Sequence, residues 1–313
     1  MLHFAAKRTT TLVIAVVVAS FAVFLVPYLT PGDPVRKIIR SRVAGEVIDD
    51  SSVRQLSQSL GLDDPLLVQY IRWLRELISG NMGLSFGSRT PVADQVISAM
   101  GVTLSLVTAA LVLAVVVSLP LGVLSGLRPG SLTDRAVTTV TQALIAVPEY
   151  WAAPLLVLVL AVKLTLLPTA GWTDPTSVVL PALTLALRPI AFFTSAVRTG
   201  VLDAAAAAHI QAARARGLSA RQTVMRHVLP NSLVPVSTLL AVWFAGLLGG
   251  SVIVEVIFAI PGMGKLLFDA VVNSDIPLAQ GGVVVVVALA VAVTTLADFI
   301  HRFLTKTVGG PVA

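Results

Sequence analysis

Apolar residues run along this chain in long blocks and do not alternate with polar ones. Residues 9–29, 101–127, 232–254 and 276–297 contain no Asp, Glu, Lys or Arg; residues 136–162 contain only Glu149, and residues 175–197 only Arg188. Each block reaches the ~20 residues that a helix rising 1.5 Å per residue needs to cross a ~30 Å hydrocarbon core. Barrel strands would instead alternate over about ten residues. Lipid admits only elements that satisfy their own backbone polar groups. The pattern predicts an all-α integral membrane protein with six transmembrane helices. The first block follows Lys7 and Arg8, as a secretory signal would. It runs well past the ~7–15 apolar residues of such a signal, and no convincing small-x-small cleavage site precedes Pro27. It is expected to stay as the first span.

Between the first two blocks lies a long polar segment, residues 30–100, which predicts a helical extracytoplasmic insertion. "DDSSVRQLSQSLGL" offers Asp50 as a helix start and Gly61 as a stop. "DDPLLVQYIRWLRELISG" offers Asp64 as N-cap and Pro65 at the first helical position. Leu67, Tyr70, Ile71, Leu74, Leu77 and Ile78 then fall on one face. That stripe needs a cover, either the membrane surface and the chain's own spans or an external partner. The chain re-enters the membrane near Pro91. The organisation is then 1–29 as cytoplasmic N-terminus and first span, 30–100 as insertion, and 101–313 as a five-span core.

Composition agrees: 56% of the 313 residues are hydrophobic and 12% charged, against about 25% charged in soluble domains. The net charge of +6 reflects topology. With six spans both termini share a side, and the segments on that side hold Lys7, Arg8, Arg128, Arg135, Arg198, Arg214, Arg216, Arg221, Arg226, Arg302 and Lys306. The two short segments opposite hold only Lys163 and Lys265. The bias predicts that both termini are cytoplasmic, with nucleic acid not implied. The absence of cysteine excludes disulfides and thiolate chemistry.

Two charges sit inside the apolar blocks. Arg188 is central to the fourth, where insertion costs about 2.5–3.5 kcal/mol, and Glu149 is central to the third. They are candidates for a polar translocation pathway that meets a substrate carboxylate, or for a structural ion pair. Pro120, Pro148, Pro154, Pro181 and Pro189 fall in or near spans and predict bent helices.

No enzyme site emerges. The histidines at 3, 209, 227 and 301 never form a His-Glu-x-x-His pattern. "AIPGMGKLL" fails as a phosphate loop, lacking glycine at Ala259 and a hydroxyl at Leu266. No metal site or resident cofactor is expected. If ATP drives transport, another polypeptide must bind it with magnesium.

The one long basic stretch is "AHIQAARARGLSARQTVMRHVLPN", residues 208–231. Asp203 reads as the cap of an alanine-rich helix ending at Gly217, with Arg214 and Arg216 in a last turn that suits positive charge. Ser219 and Gln222 form a capping-box pattern for a second short helix ending before Pro230. Such a hairpin suits anionic headgroups, while its small residues also admit a closely packed protein surface.

At this point the chain resembles a family. "QAARARG", residues 211–217, is similar to the Glu-Ala-Ala-x-x-x-Gly signature of ABC importer permeases. The longer "ARARGLSARQTVMRHVLPN" is similar to the dipeptide/oligopeptide/nickel branch. So are "PGDPV" at 31–35, "PALTLAL" at 181–187, "VEVIFAIPGMGKLLFDAV" at 254–271 and "DIPLAQGG" at 275–282. The matches cover nearly the whole chain in order and look most like the first of two paired permeases, dipeptide permease B-like.

The resemblance implies a type I importer permease fold in a bacterial plasma membrane. It implies a second homologous permease, two cytoplasmic ATPase subunits or domains, and an external solute-binding protein as partners. Its cargo would be dipeptides or short oligopeptides, with nickel, glutathione or haem as alternatives within the class. An ion-coupled carrier using Glu149 and Arg188 as a relay is the rival class. By resemblance, His209, Gln211, Ala212, Ala213, Arg214, Arg216 and Gly217 form the ATPase-coupling helix within the loop 198–231. The sequence departs from the pattern where Gln211 replaces the signature Glu, and where Ala208–His209 replaces an acidic–aromatic pair. A further departure is Arg188, where relatives usually carry an uncharged residue.

Overall fold

Among the described residues every regular element is a helix. The computed structural model describes residues 2–29, 31–33, 35–37, 54, 57–58, 61–208, 210, 217–232 and 234–308. The principal helices are α1 (Leu2–Phe24), α2 (Leu66–Ile78), α3 (Val92–Leu127), α4 (Leu132–Ala146), α5 (Glu149–Leu156) and α6 (Val179–Ala206). They continue with α7 (Val234–Gly250), α8 (Val252–Ile257), α9 (Met263–Val272) and α10 (Ile276–Val308).

The six apolar blocks take three forms. Thr9–Leu29, Val92–Leu127, Pro175–Ala206 and Ile276–Ala297 are each long and apolar enough to cross a membrane as one helix. The block at 232–254 yields the 17-residue α7, about 25 Å long at 1.5 Å per residue, followed by the short α8.

The third block is not one continuous helix. It is two helices, Leu132–Ala146 and Glu149–Lys163, meeting at 105°. Pro148 explains the break. It disfavours helical geometry at the residue before it, and Val147 is extended at φ −81°, ψ 119°. Glu149 therefore lies in the first turn of α5, where the helix dipole favours a carboxylate, and not in the middle of a helix. After Leu156 the helix widens to a π-helical stretch, Val157–Lys163.

The chain forms two units. One comprises residues 1–103 and 261–295, the other residues 104–260 and 296–313.

In the first unit α2 is tied to the end of α1. Tyr70 packs edge-on against Phe21 at 5.1 Å and Phe24 at 5.5 Å, and Trp73 lies 5.7 Å from Phe24. The buried Gln69 accepts a hydrogen bond from the Tyr28 hydroxyl at 2.5 Å and donates to the carbonyls of Leu62 and Asp64. Asp64 does not cap α2. Its carboxylate is held by Arg72 at 2.6 Å, and Pro65 occupies the N-cap position. The predicted apolar stripe divides: Tyr70 is buried, while Leu67, Ile71 and Ile78 stay exposed. The proposed helix start at Asp50 lies outside the described residues.

Also in this unit, Asp275 caps α10 through the Leu278 N–H and holds the 85–88 turn by accepting from Ser85 Oγ and the Gly87 N–H. The "PGMG" turn opens α9, whose Met263 N–H donates to Thr103 Oγ1 at 2.7 Å.

Candidate coupling and translocation site

The second unit is organised around α6. Small residues let α3 approach it closely: a Cβ on Gly122 would lie 2.6 Å from Val197 Cβ and 2.8 Å from the Thr194 carbonyl oxygen. A Cβ on Gly126 would meet Val201 Cβ at 2.8 Å and the Arg198 carbonyl at 3.0 Å. These glycines are spaced i, i+4, the interval that brings membrane helices together without an apolar driving force between them.

On another side, Arg198 makes two hydrogen bonds to Asp134, Nε to Oδ1 at 2.6 Å and Nη2 to Oδ2 at 2.9 Å. Asp134 also accepts from the Gly130 N–H at 2.8 Å, and its own N–H donates to the N-cap hydroxyl of Ser131. On a third side, Gly200 sits against Ser232, where a Cβ would meet backbone at 3.0 Å. The half of α6 that leads into the basic hairpin is thus gripped by the segments before and after that hairpin.

The hairpin itself differs from its sequence reading at one end. Asp203 does not start a helix; it is an exposed residue inside α6, which runs on to Ala206. The buried Val201 and Ala204 continue the packed face of the span, and the alanines that follow have the highest helix propensity, so no new nucleus is needed at Asp203. The break comes at Ala207, extended at ψ 140°, and Ile210 beyond it is fully buried. Of the predicted coupling residues, His209, Gln211, Ala212, Ala213, Arg214 and Arg216 lie outside the described residues. Gly217 is described. Its φ of +86° is left-handed, and nothing lies within 4 Å of the position a Cβ would take.

The capping box is formed. The Ser219 N–H donates to Gln222 Oε1 at 3.1 Å, and the Gln222 N–H donates to Ser219 Oγ at 3.3 Å. Thr223 Oγ1 donates back to the Ser219 carbonyl. The helical run Ala220–Ser232 then leads to α7, with Pro230 inside it and no stop before it.

The two intramembrane charges lie in the same unit. Arg188 is exposed on α6 and Glu149 is half-buried at the start of α5. α5 packs against α6, yet among the described residues no salt bridge joins Arg188 to Glu149. From Leu180 to Val197 the only exposed side chains of α6 are Arg188 and Phe192, one turn apart on one face. Phe192 rests against Trp243 of α7, ring centroids 5.3 Å apart.

Sequence reasoning missed Asp134, Gly122, Gly126, Phe192 and Trp243, and used Arg198 only as a marker of topology. The i, i+4 glycines were a readable signal. The Asp134–Arg198 pairing, 64 residues apart, was not.

Known proteins resemble this chain over its whole length. Residues 118–310 match the family described as binding-protein-dependent transport system inner membrane component, and residues 1–107 match its N-terminal companion. The metal-staphylopine import system permease protein CntB of Staphylococcus aureus (strain Mu50) is 34% identical over 304 residues, covering 97% of each chain. The glutathione transport system permease protein GsiC of Escherichia coli (strain K12) is 32% identical over 308 residues, covering 98% of this chain and 99% of its own. Among solved structures, the inward-facing MetNI methionine ABC transporter matches with a TM-score of 0.54 and 20% identity, covering 69% of this chain and 96% of that one. An amino acid ABC transporter determined with histidines matches with a TM-score of 0.54 and 17% identity, covering 67% and 94%. At such identities these two structures establish the fold, the type I importer permease fold.

Proposed function

The chain belongs to the inner-membrane components of binding-protein-dependent transport systems and is a multi-pass permease subunit of an ABC importer, and from that premise we propose that it couples ATP hydrolysis in partner subunits to import of short peptides. In this reading it pairs with a second permease. Two ATPase subunits bind ATP and magnesium on the cytoplasmic side, where both termini lie, and a binding protein delivers cargo outside.

The segment 209–217 is the contact with the ATPase. The observation that carries this is the grip on α6. The helix leading into the segment is held by α3, by Asp134 and by Ser232, while the chain leaving it is set by the left-handed Gly217 and the Ser219–Gln222 box. A push delivered to either end of the segment is therefore passed to packed helices. Closure of the ATPases favours one of two arrangements of the spans, because the docked segment makes different contacts in each.

Without the signature Glu, the docking relies on shape at Ala212 and Ala213 and on donors from Arg214 and Arg216. Arg188 and Glu149 line the route taken by cargo. The peptide class is supported by the likeness to the glutathione permease, since glutathione is a tripeptide. A metal chelate, as named for the staphylococcal relative, is the second reading.

The test is uptake of a labelled dipeptide by proteoliposomes holding the complete importer. Uptake should require ATP on the ATPase side and persist when an uncoupler removes the proton gradient. Uptake that collapses with the uncoupler while ATP is held constant would overturn ATP coupling in favour of ion coupling through Glu149 and Arg188. Import of a metal chelate with no dipeptide uptake would overturn the peptide cargo.

A further inference from the structure

The α6 helix is the most enclosed span of the chain, with 61% of its apolar window buried. Between Leu180 and Val197 its only exposed side chains are nonetheless a guanidinium and an aromatic ring, Arg188 and Phe192. Lipid is a poor neighbour for that face, because a guanidinium in hydrocarbon is paired, hydrated or turned toward the protein interior. A purely structural ion pair would bring Arg188 onto Glu149, and among the described residues no salt bridge joins them. The helices that carry them, α5 and α6, pack together. The unit thus carries a cation and an anion on neighbouring helices, not paired with each other, with the Phe192–Trp243 ring pair one turn from the cation.

This is the complement of a zwitterion. A guanidinium takes a carboxylate through parallel hydrogen bonds with a geometry that an ammonium lacks. A half-buried carboxylate takes a substrate ammonium, and aromatic faces take an apolar or aromatic side chain with defined orientation. We infer that Arg188, Glu149 and the Phe192–Trp243 pair form a cargo-selecting site in the translocation pathway, specific for zwitterionic solutes that carry a free carboxylate. The inference rests on the permease reading above and adds the chemistry that its pathway reads. Arg188 is the residue that sets preference for the acid, and Glu149 tempers it by favouring solutes that also carry a positive group.

The chain has no cysteine, so a single introduced thiol reports on this face directly. Phe192→Cys is assembled with cysteine-free partners into the complete importer in nanodiscs. It is then exposed to two methanethiosulfonate reagents of like size, one anionic (sulfonatoethyl) and one cationic (trimethylammonioethyl). The thiol should react, and the anionic reagent should be favoured by about tenfold over its ratio with a free thiol, as expected for a charged cleft. Arg188→Met in that background should remove the preference, and Glu149→Gln should enlarge it. Ala-Phe dipeptide should slow labelling, and its C-terminal amide should not.

Leu187→Cys, half-exposed beside Arg188, repeats the measurement with the ring pair intact should Phe192→Cys fail to assemble. A thiol unreactive to both reagents, with and without ATP, would mean that lipid or the partner permease seals this face, and would overturn the inference. So would a charge preference unchanged by Arg188→Met, or equal protection by acid and amide. Failure of the wild-type importer to accumulate dipeptide would count against the peptide cargo alone and leave the labelling result standing.

Discussion

Arg198 on α6 holds Asp134 on α4 with two hydrogen bonds, at 2.6 and 2.9 Å, about two turns before α6 ends and the basic segment begins. Two parallel bonds fix orientation as well as distance. Asp134 is itself anchored by the Gly130 N–H, so the pair joins the α3–α4 turn to the helix that enters the coupling segment. Arg198→Lys keeps the charge but cannot reproduce the planar fork. We expect Arg198→Lys and Asp134→Asn importers to assemble but to move fewer solute molecules per ATP hydrolysed, measured as the ratio of uptake to phosphate release. An unchanged ratio in both variants would remove the pair from the coupling path.

The α3–α6 contact gives a packing prediction. Gly122→Leu and Gly126→Leu push side chains into Val197, Val201 and the α6 backbone. Overpacking of this kind costs about 1–3 kcal/mol, so the thermal midpoint of the purified importer should fall. Val197→Ala should not rescue Gly122→Leu, because the Val197 Cβ and the Thr194 carbonyl remain at 2.6 and 2.8 Å from the new Cβ.

One side chain of α2 reaches several residues of α1. Tyr70 is 6% exposed and meets Phe21, Phe24 and Ser20 at once. Truncating a buried aromatic costs about 3–5 kcal/mol, so Tyr70→Ala should free α2 and expose 66–78 to external protease. Protection equal to wild type would show that other contacts hold the helix.

Much of this was legible in the sequence because the bilayer is a demanding solvent. The apolar blocks located the four helices long and apolar enough to cross a membrane among the described residues, and turn chemistry located the left-handed Gly217 and the Ser219–Gln222 box. The misreadings share a cause. Asp203 and Asp64 have the chemistry of helix caps, but one sits in a helix already nucleated upstream and the other is taken by Arg72. Pro148 announced a bend but not its size, since an apolar block with a proline reads alike whether it bends slightly or turns through 105°. Nor could spacing reveal contacts such as Asp134–Arg198 or Phe192–Trp243, which exist only once helices distant in sequence are packed together.

The account stands or falls on coupling through 209–217, and Gly217 tests it most directly. A Cβ at this position meets no neighbour within the chain, and the φ of +86° strains an L-residue there. Forcing an L-residue into the left-handed region costs roughly 1–2 kcal/mol, most for a β-branched residue and least for Asn. In the reconstituted importer, Gly217→Val should leave ATP hydrolysis responsive to loaded binding protein while uptake per ATP falls about tenfold, the factor that 1.4 kcal/mol represents. Gly217→Asn should stay near wild type. Wild-type uptake per ATP by Gly217→Val would contradict the assignment of this segment as the place where ATP does its work.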